Sequence, residues 1–418
     1  MTGREKLDNA LNHRPGPVPI DFGSNAVTGM HVSVVAAMRD FYGLSKKPVK
    51  VIEPFQMLGE IDEELKTIFK ADVDGIQPYG TIFGFPNKDW KQWRTPWGQE
   101  VLVPGRFNTA KQGKDTVIYP KGDTSVPPSG RMPESGYFFD SIIRQKPIDE
   151  DKLDPKDNQE EFVPVTEEDL AYYKSVLASF EGSSRGLFAN FGGTGLGDIA
   201  LVPGPFMTDP KGIRDVTEWY VSTAARRDYL HAVFTYQTDM ALQNLSKIHA
   251  AAGNKVQVMF LCGTDFGTQS STFCSAETFR ELYKPYYRKM SAWIRANTKW
   301  KTFKHSCGAV KGLLGEFIES GFDILNPVQL SASGMDPVEL KDRFGSSITF
   351  WGGGVDTQKT LPFGTPEEVR REVLERCSIL SPGGGFVFNA IHNVQAKTPV
   401  KNVAAMISAV HEFNGEKK

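Results

Sequence analysis

Apolar positions follow two patterns along the chain, one of short continuous runs and one of helical periodicity. From residue 184 onward, short apolar runs rich in β-branched and aromatic residues alternate with longer segments of helical periodicity. This alternation is typical of βα units around a parallel sheet. The candidate strands are "PVPIDFG" (17–23), "DVDGIQPYG" (72–80), "GLFANFGG" (186–193), "VQVMFLCG" (256–263), "WKTFKHSCG" (300–308), "FDILNPVQ" (322–329), "SITFWGGG" (347–354) and "GFVFNAIHN" (385–393). These eight units predict an α/β fold of the (β/α)8 TIM-barrel type, formed by residues 1–418 as a single domain.

Helix starts are marked between these strands. Thr365 is followed by Pro366 and, three residues on, by Glu368, which predicts a capping box; Asp336 precedes Pro337 in the same way. Longer helical regions are predicted at about 210–251 and 275–297. A doubly wound open sheet is the main alternative to the barrel, but neither GxGxxG nor GxxxxGKS/T follows a candidate strand.

The residues in excess of a minimal barrel fall after the second strand. Residues 81–165 are rich in Pro, Gly, Lys and Asp, and they predict an inserted β-hairpin followed by a linker-like loop. Trp90, Trp93 and Trp97 lie in this insertion. They are compatible with an aromatic lid over a substrate, although packing of a small hairpin is the favoured explanation.

Composition excludes several classes of partner. The chain has 418 residues, a net charge of -2 and no Lys/Arg-rich run, so no nucleic acid or anionic membrane surface is expected to bind. No stretch reaches the roughly 18 to 20 apolar residues of a membrane span, and the charged N-terminus does not have the pattern of a signal peptide. The four cysteines show no CxxC spacing. We therefore expect a cytoplasmic protein with a small-molecule or protein partner.

Candidate chemistry lies where the strands end, because the active site of a TIM barrel is built on the carboxyl ends of its strands. In "FKHSCG", His305 and Cys307 are two residues apart and should lie on the same face of a strand. An imidazole and a thiolate favour zinc, and catalytic zinc usually takes three protein ligands and leaves one position open. The same pair could also be an ordinary strand end.

A third ligand is needed to complete such a site. His392 lies at the end of the last candidate strand, whereas Cys262 ends another strand and Asp356 follows the seventh, and both remain rivals. The fifth and eighth strands, which carry His305 and His392, are not neighbours in a barrel. An ion held by both would have to lie across the barrel mouth.

Several segments resemble the uroporphyrinogen decarboxylase superfamily. They are "RPGPVPIDFG", "TDFGTQSSTFCSAETFRELYKPYYRKM", "HSCGAVKGLLGEFIESGFDILNPVQ" and "GMDPVELKDRFGSSITFWGGGVDTQKTLPFGTPEEV". The resemblance is closest to zinc-dependent methyltransferases that work with corrinoid proteins, such as methylcobalamin:coenzyme M methyltransferases and aromatic O-demethylase components. It implies a (β/α)8 barrel in which an HxC pair and a later cysteine hold zinc. The pair falls on His305 and Cys307, and His392 takes the place of the later cysteine.

This resemblance implies a transfer of a methyl group between a small substrate, such as an aryl methyl ether, and the cobalt of a separate corrinoid protein. No DxHxxG-type cobalamin segment is present in the sequence, so cobalamin would arrive on the partner. The catalytic residues expected are Asp265, His305 and Cys307; the metal ligands are His305, Cys307 and His392; the substrate-binding residues are Asp21, Asn25, Gln269, Asn326 and Asn389. A homodimer is compatible with the sequence, which does not determine the oligomeric state.

Two other functions compete with methyl transfer. One is a metal-independent lyase or decarboxylase of the uroporphyrinogen decarboxylase type, and the other is a non-catalytic metal-binding barrel. True uroporphyrinogen decarboxylases bind substrate carboxylates through N-terminal arginines, and here no arginine lies between Arg14 and Arg39. Decarboxylation is therefore the less favoured reading.

Overall fold

Seven of the eight predicted barrel strands form one parallel sheet. The computed structural model describes residues 1–416. Its strands are β1 (Val49–Glu53), β2 (Leu58–Gly59), β3 (Val73–Ile76), β4 (Lys91–Arg94), β5 (Glu100–Val103), β6 (Thr109–Gln112), β7 (Asp115–Ile118), β8 (Gly130–Met132), β9 (Asp140–Ser141), β10 (Gly186–Ala189), β11 (Val258–Cys262), β12 (Lys301–His305), β13 (Ile324–Asn326), β14 (Thr349–Trp351) and β15 (Phe386–Val387). The parallel sheet has the order β15-β14-β13-β12-β11-β10-β3, so neighbours in space are consecutive along the barrel part of the chain.

The α-helices cover this sheet and its ends. They are α1 (Gly3–Leu11), α2 (Val32–Phe41), α3 (Glu63–Phe69), α4 (Glu167–Ser179), α5 (Val216–Ala225), α6 (Arg227–Ala252), α7 (Ala276–Leu282), α8 (Lys284–Asn297), α9 (Leu314–Glu319), α10 (Pro337–Phe344), α11 (Thr360–Phe363), α12 (Pro366–Leu380) and α13 (Val400–Phe413). None of the helices within residues 1–416 is long and apolar enough to cross a membrane.

The predicted first strand, 17–23, is reduced to a single bridge. Ile20 bridges Phe388 in parallel, and the Ile20 carbonyl accepts a hydrogen bond of 2.8 Å from the Asp72 N–H beside β3. This short segment therefore bonds to both edges of the seven-stranded sheet. Pro17 and Pro19 supply no N–H donors, which explains why no longer ladder forms here.

The sheet curves strongly around an aromatic interior. Phe188 on β10 and Trp351 on β14 have ring centroids 5.3 Å apart, although three strands separate them in the sheet order. In a flat sheet, strands four steps apart would lie roughly 19 Å from each other. This curvature and the Ile20 bridge fit a mixed α/β, TIM-like fold.

The predicted helix starts are confirmed, whereas the two long helical regions are each divided. Thr365 and Glu368 form a reciprocal capping box at α12, and Asp336 caps α10. The region predicted at 210–251 is split at Arg226 into α5 and α6. The region predicted at 275–297 breaks at Tyr283 between α7 and α8, because Pro285 cannot continue the hydrogen-bond ladder.

Residues 81–165 are more ordered than the predicted hairpin and linker. The hairpin β4–β5 is present, and β5 also pairs in parallel with β1. Beyond it, β6 to β9 form an antiparallel four-stranded sheet where a linker-like loop was predicted. Trp93 packs edge-on against Phe107, and Trp97 stacks on Tyr137. Trp93 and Trp97 therefore pack within this region, as the hairpin explanation expects.

Candidate functional site

His305 ends β12 and is held by the neighbouring strand. Its Nδ1 lies 2.6 Å from Oδ1 of Asn326, which is the paired residue on β13. The Asn326 amide in turn donates to the Trp351 carbonyl at the end of β14. Because the Asn326 oxygen accepts from Nδ1, the lone pair of the His305 ring is on Nε2. A metal-ligating histidine is commonly oriented by such a hydrogen bond.

Cys307 follows in a loop that is fixed by two neighbours. Its N–H donates to Asp265 at 2.7 Å, and the Gly308 N–H donates to the Gln329 side chain at 2.7 Å. Gly308 has a φ of 88° and lies against the backbone of residues 267 and 268, so a side chain here would clash. The result places Cys307 Sγ 3.4 Å from Nε2 of His305.

His392 reaches the same point from the far side of the barrel mouth. The chain after β15 is anchored by Asn389, which donates to the Asp21 carbonyl, and by Asn393, which accepts from the Gly29 N–H at 2.6 Å. The rings of His305 and His392 have centroids 5.5 Å apart. This path allows residues from two strands that are not adjacent to meet.

The ligand atoms of His305, Cys307 and His392 all lie within 4.8 Å of one another. Burial lowers the pKa of both histidines, that of His392 to about 4, so their rings are neutral and able to coordinate a metal at pH 7. Burial, and after it the Asp265 carboxylate, raises the pKa of the Cys307 thiol. A coordinated metal ion would act in the opposite direction, because it deprotonates a thiol ligand. Two imidazoles and one thiol fit a zinc site with an open fourth position.

The two rival ligands lie elsewhere. Cys262 is buried and its sulfur lies 2.8 Å from the Tyr287 hydroxyl and 3.3 Å from Nζ of Lys304. Asp356 accepts hydrogen bonds from the N–H groups of Gln358 and Lys359 in its own turn. Neither belongs to the group formed by His305, Cys307 and His392.

A cavity of about 600 Å³ opens beside these residues. His305, His392 and Asp265 line it, together with two carboxylates, Glu53 and Asp198, that the sequence reasoning did not select. Burial raises the pKa of Glu53 to about 7 and that of Asp198 to about 6. Asp198 could have been found from its position in the glycine-rich segment just after β10, but Glu53 ends a strand outside the predicted barrel set.

Of the predicted substrate-binding residues, only Asn25 lines the cavity. The predicted catalytic Asp265 lines it as well. Asp21 is buried, where it accepts from Trp351 Nε1 at 3.0 Å, and Asn389 bonds to the Asp21 carbonyl. Gln269 is exposed outside the cavity. Asn326 contacts His305, so its connection to the cavity is through that ring.

Sequence comparison agrees with this architecture. The family profile described as "Uroporphyrinogen decarboxylase (URO-D)" matches residues 199–413, which is more than half of the chain. The chain belongs to the URO-D family. The matched part of this URO-D protein contains β11 to β15 and all three clustered residues, His305, Cys307 and His392.

Individual relatives include both methyltransferases and decarboxylases. The chain is 26% identical over 219 residues to a methylated-thiol–coenzyme M methyltransferase of Methanosarcina mazei, a match covering 51% of this chain and 53% of that protein. It is 22% identical over 213 residues to a uroporphyrinogen decarboxylase of Neisseria meningitidis, covering 50% and 55%. The chain thus spans about half the length of these curated relatives.

A solved structure supports the fold over the full length. A methyltransferase from Methanosarcina mazei superimposes with a TM-score of 0.55, covering 99% of both chains at 14% identity. At this identity the likeness concerns the fold alone. The curated relatives of this URO-D chain are named as methyltransferases and decarboxylases, and both are classes of enzyme.

Proposed function

We propose that this protein is a zinc-dependent methyltransferase that moves a methyl group between a small substrate and the cobalt of a separate corrinoid protein. The observation that carries the proposal is the group His305, Cys307 and His392, whose ligand atoms lie within 4.8 Å of one another. Both histidines line a cavity of about 600 Å³. The match to a methylated-thiol–coenzyme M methyltransferase adds support from an independent direction.

The metal would be held by His305, Cys307 and His392. When bound, zinc supplies Lewis-acid activation of the oxygen or sulfur that carries, or receives, the methyl group. Asn326 keeps Nε2 of His305 directed at the site through its hydrogen bond to Nδ1. The replacement of a family cysteine by His392 removes one thiolate, so the site is more positive and favours an anionic oxygen or sulfur more strongly.

Asp265 lies beside the candidate ligands and faces the cavity. One of its oxygens accepts from the Cys307 N–H, and the residue lines the cavity. In demethylation, the substrate heteroatom keeps the electron pair of the broken bond and takes up a proton. In this proposal Asp265 orients the substrate and exchanges that proton. The cavity mouth is the surface at which a corrinoid protein would dock.

Metal analysis is the first test. The protein is purified without a histidine tag and its zinc content is measured beside that of the His305→Ala/Cys307→Ala double variant. One zinc per chain in the wild type and none in the double variant are expected. Zinc that persists in the double variant, or is absent from the wild type, would contradict the proposed site and favour a metal-independent lyase.

Methyl transfer is the second test. The zinc-loaded protein is incubated with cob(I)alamin and a panel of methyl ethers, methylamines and methyl thioethers, and formation of methylcobalamin is followed by its absorption spectrum. At least one member of the panel is expected to react, and the double variant should be inactive. A zinc-containing protein that reacts with none of them would instead support a non-catalytic metal-binding barrel.

A further inference from the structure

The cavity has an acidic wall built around Glu53. Glu53 ends β1 and accepts hydrogen bonds from the N–H groups of Phe55, at 3.0 Å, and Gln56, at 2.7 Å. The side chain lines the cavity, and none of the ion pairs formed within residues 1–416 includes it. Burial raises its pKa to about 7. Glu53 is thus a carboxylate that lacks a cationic partner and faces a space large enough for a substrate.

Asn25 lies on the same wall. Gln56, whose N–H bonds to Glu53, also donates from its side chain to the Ala26 carbonyl at 3.3 Å, which joins the loop carrying Asn25 to the Glu53 turn. Asn25 is only 3% exposed and lines the cavity, yet its side-chain Nδ2 has no hydrogen-bond partner among the described residues. A buried polar group is normally paired, and Nδ2, being a donor, could be satisfied only by an acceptor atom and not by a protonated amine.

Two further carboxylates face the same space. Asp198 and Asp265 line the cavity, whereas the lining residues that the structure describes include neither lysine nor arginine. Lys304 interacts electrostatically with Asp198, but it does so from outside the cavity, where its Nζ bonds to the His305 carbonyl at 2.7 Å. Glu53 has no such compensation.

Much of the rest of the wall is apolar, although uncharged polar side chains such as Gln77, Thr81 and Asn87 also line it. Ile52, Phe55, Ile82, Phe206 and Phe260 line the cavity between the polar groups. A volume of about 600 Å³ falls in the ordinary range for an organic ligand of moderate size. The wall therefore suits a molecule with an apolar body and one polar, positively charged end.

We propose that the substrate of this site is an organic cation, in which an apolar body links the methylated oxygen or sulfur to a protonated amine paired with Glu53. This deepens the proposed function and rests on it for the position of the reacting methyl group. An anionic group at the Glu53 end of the cavity, by contrast, would bring like charges together.

Three ligands with the same methyl ether and different charge provide the test. Binding of 4-methoxybenzylamine (cationic), 4-methoxybenzyl alcohol (neutral) and 4-methoxybenzoate (anionic) to the zinc-loaded protein is measured by calorimetry at pH 8. The amine is expected to bind at least about tenfold more tightly than the alcohol, which corresponds to about 1.4 kcal/mol, and the benzoate to bind most weakly. Equal affinities, or tightest binding of the benzoate, would overturn the proposal without any variant being needed.

Variants then assign the preference to Glu53. Glu53→Gln removes the charge, keeps an oxygen acceptor for one of the two N–H groups and should abolish the difference between amine and alcohol. Glu181→Gln, at an exposed position outside the cavity, is the matched control and should retain it. A Glu53→Gln protein that folds, as judged by circular dichroism, and keeps the full preference would contradict the assignment.

The same titrations on chelator-treated protein separate this inference from the proposed function. If the chelator-treated protein does not rebind zinc but still prefers the amine, the result would support the acidic wall and contradict the zinc site. Stoichiometric zinc binding without any cation preference would do the reverse.

Discussion

At the scale of single residues, Asn326 orients one ligand of the candidate metal site without being a ligand itself. It accepts a hydrogen bond from His305 at 2.6 Å and donates to the Trp351 carbonyl at 2.9 Å, so one side chain links the ends of β12, β13 and β14. The first bond fixes both the ring orientation and the tautomer of His305. Asn326 is therefore a positioning residue for the metal ligand.

Replacing Asn326 by alanine should lower zinc affinity about 10-fold to 100-fold, the usual effect of removing a hydrogen bond to a metal-ligating histidine. The measurement is a competition titration against a chromophoric chelator. Asn402→Ala is the control, because Asn402 is also buried and makes two side-chain bonds, to the carbonyls of Leu361 and Gly364, far from the cluster. An equal loss of zinc affinity in the two variants would show that the loss comes from general destabilisation.

His31 is a second residue whose environment has a measurable consequence. Burial lowers the pKa of its ring to about 4, below the value of 6.5 expected in an unfolded chain. The folded state thus favours the neutral ring, and the unfolded state binds the proton first as pH falls. The stability that this contributes is complete above pH 6.5 and is lost as pH falls toward 4, by on the order of 3 kcal/mol in total.

His31→Asn should therefore flatten the fall in unfolding free energy between pH 6.5 and 4, as measured by urea denaturation at a series of pH values. The variant is also expected to be less stable at pH 7, because the His31 bond to the Tyr137 carbonyl is lost. Ser33→Ala removes the hydroxyl beside His31 Nδ1 but keeps the titrating ring, so it should retain the wild-type slope. Identical slopes in all three proteins would exclude His31 as the cause.

At the scale of elements, local signals in the sequence were sufficient wherever an element is defined by its own residues. The apolar runs after residue 184 predicted β10 to β15, and the Thr365 capping box predicted the start of α12. The strand β6, "TAKQ", was missed because it is short and mostly exposed, so it has no apolar alternation to detect. The first predicted strand failed because two prolines interrupt it.

Thr365→Ala should lower the unfolding free energy by about 1 kcal/mol, because the cap satisfies an otherwise unpaired N–H at the start of α12. The Thr365 hydroxyl accepts from the Glu368 N–H at 3.2 Å, and Glu368 accepts from the Thr365 N–H at 2.7 Å. Urea denaturation measures the difference. Thr365→Ser keeps the hydroxyl and should restore most of the loss; an equally unstable serine variant would mean that the methyl group, rather than the cap, is responsible.

At the scale of the whole molecule, the two ends of the curved sheet differ: one carries the candidate site and the other is covered by α1. The candidate site lies at the carboxyl ends of the strands, where His305 and Cys307 could be predicted from a period of two along one strand. The approach of His392 could not, because it depends on bonds between the 389–393 loop and the segment at 21–29, which are far apart in sequence. Glu53 was missed for a similar reason: the folded chain places the end of β1 at the cavity, although β1 is far in sequence from the residues of the candidate metal site.

The amino ends of the strands are closed by α1. Leu7, Ala10 and Leu11 share a buried cluster with Phe188, Phe303 and Trp351 from inside the sheet. The Gly385 N–H at β15 bonds to the Ala10 carbonyl, and Gly186 at the start of β10 leaves room for Leu7: an added Cβ there would lie 2.4 Å from the leucine side chain. This helix thus connects the beginning of the chain to strands near both edges of the sheet.

Leu7→Ala should consequently destabilise the whole protein by about 3 kcal/mol, in the range observed when a buried leucine is truncated and a cavity remains. Val338→Ala, at a position on α10 that is 50% exposed, is the control and should change stability little. Because α1 lies at the opposite end from His305, Cys307 and His392, the folded Leu7→Ala protein should bind zinc with unchanged affinity. A loss below about 1 kcal/mol would show that α1 can relax into the space, while weakened zinc binding would show that packing at the closed end is transmitted along the strands to the open end.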